Sequence, residues 1–265
     1  MKRKNFLSII LCGVFLLALS CFIGCEGQSV SGSQNTASAP FDFTYAVNGY
    51  TTLDLRGING SIDITGDNTT DSIHVWGVRM VKADTQTEAD AHLADVQVDV
   101  TNTAPTLLVE TDQPTTSSGR TYEVTYHITL PEGLLILVAN VNGNIVVEDI
   151  ANNVTAGLTN GNIVITNIRG NIFAVNVNGD INCQSMLVLN GTCQLTLVNG
   201  NINMEVPADT NAQVTMTIVN GAISVNNLTL TGSTITPTVV TGTLGTGTGT
   251  IIMGLTNGNI TLEGY

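Results

Sequence analysis

Charge is scarce in this chain, and positive charge scarcest. Asp, Glu, Lys and Arg make up 11% of its 265 residues, with 8 basic against 21 acidic side chains and a formal net charge of −13. Such a surface repels phosphate backbones, so nucleic acid is excluded as a partner. Histidine is nearly absent: His74, His92 and His127 stand apart, with no His-x-x-x-His or cysteine spacing, so neither a metal nor a cofactor is expected. There is no Gly-x-Ser-x-Gly elbow. Thr241–Thr250 (TGTLGTGTGT) reads as a Gly/Thr loop, because neither a Lys-Ser/Thr pair nor a helix follows to make it a phosphate loop. The shortage of charge also disfavours long surface helices, while the abundant Gly, Thr, Asn, Val and Ile suit strands and turns. The fold class expected is all-β.

A long apolar run stands at the N-terminus. Lys2, Arg3 and Lys4 precede it, and it extends from Phe6 to Gly24 before giving way to the polar, Ser-rich EGQSVSGSQNTASAP. Basic residues, an apolar stretch and a cysteine leading into a polar tether resemble the bacterial lipoprotein signal, in which the cysteine becomes the acylated N-terminus. Cys25 is the favoured attachment residue and Cys21 the alternative, which would leave Phe22 and Ile23 inside the tether. The division expected is residues 1–24 as signal peptide, 25–40 as flexible tether and 41–265 as one repeat domain. The chain would be exported and held at a membrane of the bacterial cell envelope by its lipid. Removing the signal takes three of the eight basic residues and leaves five.

The remaining sequence repeats. Asn59-Gly60, Asn142-Gly143, Asn160-Gly161, Asn178-Gly179, Asn199-Gly200, Asn220-Gly221 and Asn257-Gly258 share one context, with isoleucine two residues after every glycine (Ile62, Ile145, Ile163, Ile181, Ile202, Ile223, Ile260). An apolar residue follows two positions later, and a β-branched residue precedes every Asn. Glycine supplies positive φ for a tight turn, and the alternation after it describes a half-buried strand. An antiparallel meander with type I′ turns is the rival arrangement. The central turns lie 18, 18, 21 and 21 residues apart with a weaker break halfway, which favours two strands and two corners per period, a β-solenoid of about seven Asn-Gly-x-Ile units. In a solenoid the asparagines stack along the axis as structural turn residues, and the isoleucines form an interior column. Each coil is expected to rest on the one before it.

Between the first unit and the second the pattern changes. Strands are expected around Ser72–Met80, Val96–Val100 and Tyr122–Leu130, the last alternating cleanly and leaving His127 on its solvated face. One short helix, opened by Thr85 and Glu88 as a capping box and carrying Ala89, Leu93 and Val96 on one side, is expected to cover an open end. Cys183 and Cys193 share parity with apolar neighbours and should face inward. They read equally as small core hydrophobes or as a disulfide.

The strand YEVTYHITLPEG with its closing Leu130-Pro131, followed by VNGNIVVEDI, LTNGNIVITNI, VNVNGDI, LVNGNI and GLTNGNITLEG, resembles the bacterial "putative adhesin" family of β-strand-repeat domains, over roughly Phe41 to Tyr265. The resemblance implies a β-solenoid on an exported protein and carries over no catalytic residue. The function expected is noncatalytic, a structural or adhesin-like module with an unidentified protein or glycan partner. Two alternatives stand beside it: a carbohydrate-active enzyme on a solenoid, which would group two or three carboxylates in an outer groove, and an envelope-stress or signalling accessory.

Overall fold

A computed structural model describes residues 35–265; Cys21, Cys25, the expected signal peptide and most of the expected tether lie outside the described residues. Its centre is a run of strand pairs bent at Asn-Gly. β8 (Leu135–Asn142) turns into β9 (Ile145–Glu148), β10 (Val154–Asn160) into β11 (Ile163–Ile168), and β12 (Ile172–Asn178) into β13 (Ile181–Ser185), while β14 (Thr192–Val206) runs through its own corner unbroken. Strands preceding the corner stack in parallel as a leading wall, in register Ile136, Val154, Ile172, Cys193. Those following it stack as a trailing wall, in register Ile145, Ile163, Ile181, Ile202. Inward side chains of both walls form one core, and the fold is all-β and solenoid-like.

The corner requires glycine for reasons of space as well as torsion. Gly143 has φ 117°, and a Cβ there would stand 2.2 Å from the carbonyl oxygen of Gly60 in the neighbouring coil. At Gly200 the clash would be with Gly179, at 1.9 Å. Backbones of successive corners therefore touch, and any side chain would force the coils apart.

At the N-terminal end, β2 (Thr52–Arg56) and β3 (Ile62–Gly66) form the first bent pair and stack directly on β8 and β9, so Asn59 pairs with Asn142 although the sequence between them is long. The intervening residues extend both walls outward. β4 (Ser72–Ala83) and β7 (Thr121–Leu130) enlarge the trailing wall and β5 (Gln97–Thr103) and β6 (Thr106–Asp112) the leading one. The tether expected to run to residue 40 ends sooner. β1 (Asn35–Ala46) pairs antiparallel with β4 along its whole length, from Asn35 opposite Ala83 to Ala46 opposite Ser72, and its alternation buries Ala37. Helix α1 (Gln86–His92) begins where its cap stands, with the Thr85 hydroxyl accepting from the Glu88 amide at 3.2 Å, and packs Ala89 against Ala37 and Ala83 at the β1–β4 edge. Leu93–Asp95 continue it as a single 3₁₀ turn.

The C-terminal end departs from simple stacking. β15 (Ala212–Asn226) does not lie on β14; the last strand, β18 (Gly249–Gly264), inserts between them and pairs in parallel with both. β18 offers Ile251, Met253, Leu255, Ile260 and Leu262 to the core, all buried, in register with Val214, Met216, Ile218, Ile223 and Val225 of β15, so the two strands present closely matched inward faces and stacking order departs from chain order. The Gly/Thr stretch expected as a loop is mostly strand: β17 (Val239–Leu244) pairs antiparallel with β15 and with β16 (Thr231–Ile235), turning Val240 and Leu244 inward, before β18 begins at Gly249.

Candidate binding surface

The seven turn asparagines occupy one line along the corner. Each side-chain amide donates to the side-chain oxygen of its neighbour: Asn142 to Asn59 at 2.7 Å, Asn160 to Asn142 and Asn178 to Asn160 at 2.8 Å, Asn199 to Asn178 at 2.9 Å. Asn257 then donates to Asn199 and Asn220 to Asn257, each at 2.8 Å, in the order the walls stack. At the other end, Asn59 donates to the Tyr122 carbonyl. A parallel line runs beside it, in which the residue after the glycine accepts the next coil's amide: Asn144 from Asn162, Asn162 from Asp180, Asp180 from Asn201, Asn201 from Asn259 and Asn259 from Ala222. These hydrogen bonds hold coil to coil and occupy the groups a ligand would use.

Cys183 and Cys193 face each other across the core from β13 and β14, both buried and both free thiols. Contact with the Cys183 sulfur, together with burial, pushes the Cys193 thiol well above the ordinary thiol range, so it stays protonated. A protonated, buried thiol is a poor nucleophile. Among the described residues no cluster of three or more His, Cys, Asp or Glu is arranged to hold a metal.

Chemistry that the sequence scatters is gathered on the outer face of the trailing wall. Registers of β1, β4, β7 and β3 align Asp42, Trp76, His127 and Asp63 in one row, with His74 beside Trp76 on the same face. The His74 ring stacks on the indole with centroids 4.3 Å apart, and the His127 ring stacks against it at 5.7 Å. Each imidazole has its own carboxylate: His74 Nε2 lies 2.9 Å from Asp42 Oδ1, and His127 Nδ1 lies 3.2 Å from Asp63 Oδ2. His92 takes no part and pairs with Asp95 beside α1. The expectation that His127 is a solvated face residue holds, since 43% of its side chain is exposed. Alternation could reveal which strand face each residue occupies. Only the antiparallel return of β4 onto β7, which no local pattern encodes, makes the two histidines neighbours of the one tryptophan.

A cleft of about 540 Å³ opens at the opposite corner, lined by Asp67, Glu132, Asp149, Asn167 and Arg169 among others. Its carboxylates are engaged: Arg169 pairs with Glu132, Asn167 donates to Asp149, and Asp67 accepts the Thr69 amide and hydroxyl. The two Thr69 hydrogen bonds hold the Asp67 carboxyl below its usual range, so it is ionised at neutral pH and unsuited to donate a proton.

Residues 138–263 match the family described as Toastrack DUF4097. No curated protein matches the chain. Similar solved structures include a "putative cell adhesion protein" from Clostridium sporogenes, 12% identical, covering 86% of this chain and 100% of that one with a TM-score of 0.47. A "putative adhesin" from Bacteroides fragilis is 14% identical and covers 84% and 97% with a TM-score of 0.35. Another from Parabacteroides merdae is 10% identical and covers 88% and 98% with a TM-score of 0.28.

Proposed function

Starting from a chain that belongs, through residues 138–263, to the Toastrack DUF4097 family of β-strand-repeat domains, we propose that it is a noncatalytic, adhesin-like module of the bacterial cell envelope. In this reading the fold is a β-solenoid of about seven Asn-Gly-x-Ile units. The N-terminal segment exports it, and a lipid on Cys25, or on Cys21, holds it at a membrane. Mass spectrometry of the mature N-terminus tests the anchor; an unacylated terminus at any other residue ends that part of the proposal.

The observation carrying the binding role is the row of Asp42, Trp76, His127 and Asp63 with His74 on the trailing wall. Both His rings stack against the indole, and the carboxylates of Asp42 and Asp63 flank the three rings. That suits a partner met by ring contacts and hydrogen bonds, a glycan or a polar protein surface. The test is an array of glycans and matrix proteins probed with the full chain and with Trp76→Ala. Binding by the wild type that falls about tenfold or more in the variant supports this reading; uniformly negative arrays, or unchanged binding, overturn it.

A second reading, a carbohydrate-active enzyme, is favoured by one observation: Asp67, Glu132 and Asp149 share the corner cleft. Polysaccharide cleavage by the full chain, lost in both Glu132→Gln and Asp149→Asn, would establish it. No cleavage across a polysaccharide panel would dismiss it.

A further inference from the structure

From Thr210 to Leu262 the chain contains no Asp, Glu, Lys, Arg or His. That stretch comprises β15, β16, β17 and nearly all of β18, so in a protein whose formal net charge is −13 the C-terminal end of the stack carries one charged side chain, Glu263, which lies in register with Asn226 and accepts the Asn227 amide. The end is also unfinished. Beyond its corner, β15 pairs with β18 on one side and, among the described residues, with no strand on the other; β17 covers only Ala212–Thr217. Behind this open edge Ile223 and Val225 are only half-buried, with Leu228 and Leu230 crossing beside them. Val219 is 65% exposed and Ile235 72%. Soluble proteins protect such an edge with lysine, proline or a covering element, and here none of these stands along Asn220–Asn226.

We propose that this end is a homodimer interface, in which Asn220–Asn226 pairs antiparallel with the same segment of a second copy. Two features select this occupant and geometry. A charged partner finds only Glu263, already bonded by Asn227, whereas two copies brought together at this end meet with less of the like-charge repulsion that other approaches impose. A parallel, head-to-tail continuation is blocked at the far end, where the Asn59 amide is already bonded to the Tyr122 carbonyl beneath β7 and cannot reach the Asn220 oxygen of another copy. Antiparallel pairing about a two-fold axis needs no group from that end. It closes both open edges, lays one half-buried Ile223 and Val225 row beside the other, and stops at two copies rather than growing a fibre.

The test is sedimentation equilibrium of the full chain across a concentration series, beside Ser224→Lys/Asn226→Lys and a control, Gln184→Lys, on the same wall in mid-stack. The wild type and the control should approach twice the monomer mass, and the double variant should dissociate about tenfold or more weaker. Circular dichroism checks that each is folded. Should the double variant fail to fold, Ala222→Cys/Ser224→Cys, two small changes at positions that face each other across the two-fold pairing, should give a covalent dimer under mild oxidation that the wild type does not. A wild type that stays monomeric throughout, or a dimer indifferent to both edge changes, overturns the proposal.

Discussion

At the residue scale, the corner glycines and the buried asparagines behave in opposite ways. Glycine at each turn is dictated twice, by positive φ and by a neighbouring carbonyl oxygen where a side chain would stand, and the first reason was legible in the Asn-Gly pair. The asparagines inside the leading wall, Asn140 and Asn176, lack the glycine that follows every turn asparagine, and alternation sets them on the inward face where other coils carry Leu158 and Leu197. Asn176 is fully buried; its amide donates to the Gly161 carbonyl at 2.8 Å, and its side-chain oxygen has no partner. Leucine fills the equivalent position in both adjacent coils, at Leu158 and Leu197. Asn176→Leu should therefore raise stability by about 1 kcal/mol, read as a higher urea midpoint, since removing an unsatisfied buried acceptor outweighs one hydrogen bond. Ionisable groups in the core predict a pH effect with a definite sign. Burial pushes up Tyr126, and burial with the Cys183 contact pushes up Cys193. Both groups are charged when deprotonated, so the unfolded chain loses these protons first. Cys193 contributes fully below the ordinary thiol value of 9.0 and Tyr126 below the ordinary phenol value of 10.0, and each contribution is lost as pH rises past that value. Urea midpoints should fall from pH 8 toward about pH 11 in the wild type, and the fall above about pH 10 should be smaller in Tyr126→Phe.

At the element scale, one repeat position has different consequences in different coils. Ile62, Ile145, Ile163, Ile181, Ile202 and Ile260 are fully buried, and Ile223, in the outermost coil, is not. Ile260→Ala should cost about 2–5 kcal/mol, as for a buried aliphatic truncation, and Ile223→Ala distinctly less. Equal losses in urea unfolding would contradict the observed stacking order. The two isoleucines hold the same place in the Asn-Gly-x-Ile unit, and their difference in burial arises from β18 inserting between β14 and β15. The Gly/Thr stretch teaches the same lesson from the other side. Its composition reads as a loop, yet Val240 and Leu244 at alternate positions were enough for a strand once β15 offered an edge to pair with.

At the scale of the whole molecule, the stack ends in β1, β5 and α1 on one side and, among the described residues, in the unpaired edge of β15 on the other. In a quasi-one-dimensional architecture each coil is held by its neighbours, so protection should follow position along the axis. Amide hydrogen exchange should be slowest in β9, β11 and β13 and fastest at Asn220–Asn226 and β16. If the edge of β15 pairs with a second copy, its protection should rise with protein concentration while that of β16 changes little.

The sequence by itself determined the all-β class, the corner residues, the inward face of each strand and the absence of any local metal or catalytic motif. These depend on backbone torsion and on alternation with period two, which adjacent residues enforce. Tertiary structure alone decided which strand lies beside which: that Asn59 stacks on Asn142, that β18 takes the central place and leaves β15 at the edge, and that His74, Trp76 and His127 share one face. Backbone hydrogen bonds are alike for every pair of strands, so the choice among neighbours falls to the apolar area each arrangement buries, a sum over the whole core that no single repeat contains.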